Sequence, residues 1–120
     1  MVPFQSELDS IVRDVRGVTG VILVDFEGEA VISASSGIST YDLKVVGAYG
    51  GIFLEQLRRI TGGTGNGTPI SFSLDGSGCR ILCTGLKDGY HLVLVANSMS
   101  PMAIAAERLR ICADRLIHEL

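Results

Sequence analysis

Charge is scarce in this sequence of 120 residues. Asp, Glu, Lys and Arg make up 19%, with ten basic side chains against thirteen acidic ones and a net charge of −3. Nucleic-acid affinity rests on clustered Lys and Arg, so a nucleic-acid partner is not expected. Long apolar runs are also lacking. Val21 to Val24 and Leu92 to Ala96 fall far short of the roughly 20 residues that span a bilayer. The first residues, MVPFQSELD, carry acids where a secretory signal would have a basic and then an apolar region. These absences point to a cytoplasmic protein that does not insert into a membrane.

Groups that would carry chemistry are as sparse. There are two histidines, His91 and His118, and neither has metal-ligand spacing with another His or Cys. Cys79 and Cys83 lie four apart on an expected strand, about 13 Å at 3.3 Å per residue, which is too far for a disulfide. With Cys112 on a helix, all three read as small buried hydrophobes. Serines at 37–40 and 98–100 lack the strand-to-helix elbow of a nucleophile. The GGTGNG run at 62–67 follows a helix and opens a strand, the reverse of a phosphate-binding loop, and lacks its Gly-Lys-Ser/Thr ending. It reads as a connector. No catalytic residue, cofactor or metal is expected, and the chain is read as a non-enzyme.

What the sequence does have is apolar surface and glycine: 47% hydrophobic residues and 15 glycines. One domain spanning residues 1–120 accommodates this length. The excess apolar surface needs a place, and a subunit interface is the simplest.

The stretch from Thr40 to Thr61 focuses that expectation. Leu43, Val46, Gly47, Gly50, Leu54 and Leu57 recur at helical spacing and form a core stripe, with Thr40 as N-cap and Gly62 and Gly63 as the stop. Val45, Ala48, Tyr49 and Ile52 lie beside or opposite that stripe, so the helix is apolar over more of its circumference than one sheet covers. Gly47, Gly50 and Gly51 each cost roughly 1 kcal/mol relative to Ala in a helix interior. Close approach of another backbone explains them, on a partner or on further elements of the same chain.

The rest of the chain falls into order around this helix. Phe4, Leu8, Ile11, Val12 and Val15 trace a first helix, with Ser6 and Asp9 shaped like a capping box and Gly17 as the stop. Val21 to Phe26 and Glu29 to Ala34 form a hairpin about Glu27-Gly28, with Asp25 and Glu27 in turn-forming roles. The first of these strands is apolar at successive positions and so is central, covered on both faces. Thr68 to Leu74 alternates, with Ile70, Phe72 and Leu74 on one face and Ser71 and Ser73 on the other, and Pro69 suits an edge. Cys79 to Gly85 and Tyr90 to Ala96 follow, the latter again apolar throughout and central. Ser100-Pro101 opens a last helix, whose stripe is Met102, Ala105, Ala106, Leu109, Cys112, Ala113 and Leu116.

The expected fold is α/β of the α+β type. Its order is α-β-β-α-β-β-β-α, with one five-stranded, mainly antiparallel sheet and helices on both faces. Val18-Thr19-Gly20-Val21 leading into Val24-Asp25-Phe26-Glu27-Gly28, the helix with Tyr49-Gly50, and the Tyr90 to Val95 strand before a terminal helix resemble the roadblock family. These are dynein-light-chain-like domains that include bacterial regulators of Ras-like GTPases. The resemblance covers essentially the whole chain.

It implies a homodimer in which the central helices pack side by side and the third strands pair. It also implies a helical surface that docks a small Ras-like GTPase, either stimulating hydrolysis or serving as a platform. The residues expected at the dimer or partner contact are Val45, Gly47, Ala48, Tyr49, Gly51, Ile52, Gln56 and Arg59 on the helix. On the strand they are Ile70, Ser71, Phe72 and Ser73. Arg58 and Arg59 also suit the helix C-terminus through its dipole, and no arginine finger is read from them. The competing expectation is a small-molecule sensor or general scaffold of related fold.

Overall fold

The computed structural model describes residues 4–62 and 70–120. Of the connector expected at Gly62 to Gly67, all but Gly62 lies outside the described residues, as do Thr68 and Pro69 at the start of the expected edge strand. The elements are α1 (Gln5–Asp14), β1 (Val18–Val24), β2 (Ala30–Ser35), α2 (Thr40–Thr61), β3 (Ser71–Asp75), β4 (Cys79–Gly85), β5 (His91–Asn97) and α3 (Met102–Ile117), with a short 3-10 turn at Lys87–Gly89. The strands form one sheet in the order β2-β1-β5-β4-β3, and every described pairing is antiparallel. The expected α+β order is therefore the one observed.

The two unbroken apolar strands, β1 and β5, are neighbours inside the sheet. Their side chains alternate between faces, which splits the core in two. Val21, Leu23, Leu92 and Leu94 pack with Leu8 and Ile11 of α1 and with Leu109 and Leu116 of α3. Ile22, Val24, Val93 and Val95 pack with Leu43 and Leu54 of α2. Thus α1 and α3 cover one face and α2 the other. Arg108 Nη2 donates to Ser10 Oγ at 3.1 Å and Arg115 pairs with Glu7, tying α3 to α1.

Several local details differ from the expectations. The first strand ends at Val24, because Asp25 Oδ1 accepts from the Glu27 and Glu29 amides and closes a turn in which Gly28 takes a positive φ of 85°. Phe26, expected in a central strand, stands on that turn and is 67% exposed. The Ser6/Asp9 capping box is absent. Helix α1 has Phe4 at its N-cap with no side-chain cap, while Gln5 Nε2 donates to Asp9 Oδ1 at 3.1 Å. Pro101 is the N-cap of α3, and buried Ser100 makes no side-chain cap. On α3, Ala106 is exposed rather than part of the buried stripe.

Helix α2 has the expected bounds but not the expected cap. Ser39, in extended backbone, accepts from the Asp42 amide at 3.1 Å, one residue earlier than Thr40. Replacing Ser39 with alanine removes that partner, at a cost of about 1 kcal/mol. The melting temperature should fall by roughly 4 °C, whereas Thr40→Ala should leave it nearly unchanged.

Candidate interaction surface

Helix α2 presents two unlike faces. Leu43, Gly47, Gly50 and Leu54 are buried against the sheet, flanked by half-buried Val46 and Leu57. On the opposite side Tyr41, Val45, Tyr49, Ile52, Gln56 and Arg59 succeed one another at steps of three and four, so they form one continuous outward row. Tyr49 is 66% exposed and Ile52 54%, while Val45 and Ala48 are half-buried. Phe53 and Ile60, also exposed, flank this row. Both were missed in the sequence, although their spacing from Tyr49 and Gln56 carried the signal.

The glycines of α2 have another reason than a second copy. A Cβ on Gly47 would lie 2.9 Å from Val24 Cγ2 and 3.0 Å from Ile22 Cγ2, and one on Gly50 would lie 2.9 Å from Val93 Cγ2. One on Gly51 would lie 2.3 Å from Cε1 of buried His91. Gly47 and Gly51, expected at the dimer or partner contact, therefore face side chains of the chain's own sheet. The Gly47 carbonyl accepts a hydrogen bond from His91 Nε2 at 2.8 Å, which gives that histidine its structural role.

Next to this face lies β3, at one edge of the sheet. Ser71 and Ser73 are exposed, and Ile70 just ahead of the strand is 68% exposed. Phe72 turns toward α2 and meets Phe53 edge to face, with ring centroids 5.5 Å apart. Leu74, on the same side of the strand, is exposed. The Phe53–Phe72 contact thus joins exposed apolar side chains of α2 to this edge. Monomeric proteins rarely leave contiguous apolar patches of more than a few hundred Å² in water.

A second feature is a cleft of about 540 Å³ between the C-terminal half of α2 and the β1–β2 and β4–β5 turns. Asp25, Glu27, Glu55, Arg58 and Arg59 line its rim, so both signs of charge meet there. Arg59 sits 3.9 Å from Glu55, an exposed pair that holds it along the helix. Among the described residues no cluster of His, Cys, Asp and Glu has the arrangement of a metal site. No helix is long and apolar enough to cross a membrane.

The cysteines divide differently from the expectation of three buried thiols. Burial pushes Cys83 and Cys112 up to about 12, whereas Cys79 is exposed at the start of β4. Only thiolate reacts, so at neutral pH a thiol reagent should modify Cys79 rapidly and the other two only on unfolding. Mass spectrometry over time checks this: one adduct before denaturant is added, three after.

No protein-family model matches the sequence, and no curated protein matches it. Solved structures do match its architecture. A Roadblock/LC7 domain from Streptomyces avermitilis has a TM-score of 0.82, covering 93% of this chain and 92% of that one at 12% identity. Myxococcus xanthus MglB has a TM-score of 0.84, with 98% and 94% covered at 15% identity. The fold is that of a Roadblock/LC7 domain. MglC from Myxococcus xanthus has a TM-score of 0.67, covering 98% of each chain at 24% identity. At such identities the likeness is one of Roadblock/LC7 architecture, extending over nearly the whole length on both sides.

Proposed function

We propose that the chain is a single-domain, noncatalytic adaptor or regulator. It acts as a homodimer in the cytoplasm and binds a small Ras-like GTPase, serving as a platform or modulating GTP hydrolysis. The observation that carries this reading is the outward row of α2, with Tyr49, Ile52, Gln56 and Arg59 exposed and Val45 half-buried, beside the β3 edge. Tyr49 and Ile52 are large apolar side chains whose burial stabilises an association, and the strand edge has backbone groups to offer a second copy. The Roadblock/LC7 fold and the resemblance in sequence support a small GTPase as the kind of partner.

The test is an affinity capture with the purified chain from cells that express it, with and without a nonhydrolysable GTP analogue. Nucleotide-dependent recovery of a small GTPase is the expected result, and recovery of none would remove the partner from this reading. The sensor alternative draws on the cleft beside α2, whose volume lies in the range of small-molecule sites. A ligand that raised the melting temperature in a manner abolished by Arg59→Ala would favour it.

A further inference from the structure

The cleft beside α2 keeps its two signs of charge apart. Val24 of β1, His91 of β5 and Gly85 of β4 lie opposite one another in a row across three strands. At one end of this row the β1–β2 turn brings Asp25 and Glu27 to the cleft. At the other end the Arg58 guanidinium lies over Gly85, where a Cβ would come 2.6 Å from Nη2. Two strand spacings, on the order of 10 Å, divide the ends. Asp25 Oδ1 is taken by the Glu27 and Glu29 amides. Glu27 is exposed and, among the described residues, forms no ion pair.

Between the charged ends the lining is apolar. Phe26 stands against Gly89, where a Cβ would lie 2.7 Å from Phe26 Cβ, so the glycine lets the two turns meet and leaves the ring 67% exposed. Ala48 and Ile52 of α2 line the same stretch, and Gly51 leaves the buried His91 ring room beneath it.

We propose that this cleft binds a short peptide with free termini and an apolar body, its ammonium toward Glu27 and its carboxylate toward Arg58. This rests on the second reading above, in which the cleft takes a small molecule, and does not involve the GTPase. An anionic ligand would be repelled by Glu27 and a cationic one by Arg58 and Arg59. A ligand with one charge at each end meets opposite signs at both. Two residues of extended chain span about 7 Å. A charge-assisted hydrogen bond of about 2.8 Å at each end makes that length comparable with the separation of the charged ends. The cleft volume of about 540 Å³ suits a molecule of this size.

Calorimetric titration of the full chain with leucyl-phenylalanine, and with its N-acetyl and C-amide forms, tests this. The free dipeptide should bind, and blocking either terminus should weaken it by about tenfold or more. Glu27→Gln should weaken the free dipeptide by a similar factor and leave the N-acetyl form unchanged. Arg58→Gln should do the same with respect to the C-amide form. Such pairing of one residue with one terminus is not what a damaged fold produces. Phe26→Ala, in an exposed turn, should weaken all three ligands. If all three forms bind the parent chain alike, the cleft takes small molecules without reading their charge, and the proposal is overturned alone. If none binds at millimolar concentrations the proposal is also overturned, and the small-molecule reading then stands or falls by the melting-temperature test given for it.

Discussion

Ile52→Asp is expected to separate the subunits of the proposed dimer without unfolding them. Ile52 is more than half exposed, opposite the buried stripe of Leu43, Gly47, Gly50 and Leu54, so its loss leaves the chain's own core intact. In a twofold contact each copy contributes one Ile52. Burial of such a side chain stabilises by about 1.5 to 3 kcal/mol, and the variant loses it twice while bringing two carboxylates to an apolar seam. The dissociation constant should rise at least about a hundredfold. Light scattering would then report single chains at concentrations where the parent is paired, with far-UV circular dichroism unchanged. A variant that associates as tightly as the parent would place the contact elsewhere.

Gly51→Ala is expected to lower stability although alanine is the better helix former. The added methyl would meet the ring of His91, with Cε1 at 2.3 Å, Nε2 at 2.7 Å and Nδ1 at 3.0 Å. That ring is buried and bonded to the Gly47 carbonyl, so it has little room to yield. Overpacking costs about 1 to 3 kcal/mol, and the hydrogen bond is worth about 1 kcal/mol. The gain in helix propensity, about 1 kcal/mol, offsets part of this. A net loss of about 2 kcal/mol should lower the melting temperature by roughly 8 °C. The same change at Gly78, where a Cβ would meet nothing within 4 Å, is the control and should be nearly silent. Shortening the ring by His91→Ala should make Gly51→Ala less harmful, a coupling that a double-mutant cycle measures. Equal effects with and without His91 would contradict the clash.

These two positions also show where the sequence was readable. The spacing of Leu43, Gly47, Gly50 and Leu54 gave the inward face of α2, and hence by opposition the outward one that carries Ile52. Unbroken apolar runs marked β1 and β5 as central strands, because only a strand covered on both faces can be apolar at successive residues. Strict alternation marked β3, which lies at the edge. Glycine was harder. The spacing showed that Gly47 and Gly51 need room but not for what, since the answer, Ile22, Val24 and His91, lies on strands remote in sequence. Phe26 reads as strand because the apolar run continues past the point where the Asp25 side chain closes the turn. Ser39 and Thr40 are both cap-forming types, serine somewhat the better, and the extended backbone at Ser39 makes it the cap. By residue type Cys79 reads as buried, yet it opens β4 in solvent.

For the candidate surface, periodicity places Val45, Ala48, Tyr49 and Ile52 beside or opposite the buried stripe of α2, and Gln56 and Arg59 continue that row in the fold. It passed over Phe53 and Ile60, which join them in the fold. The edge contribution of Ile70, Ser71, Phe72 and Ser73 was legible as a strand with one polar face. The Phe53–Phe72 contact that joins edge to helix was not, because it depends on how α2 crosses the sheet.

The proposed assembly requires that the outward side of α2 meet another copy of itself. Sedimentation velocity over a wide concentration range tests this most directly. A species of twice the chain mass, dissociating only on dilution and lost in Ile52→Asp, is the predicted result. A species of single-chain mass that persists at the highest concentrations would contradict it.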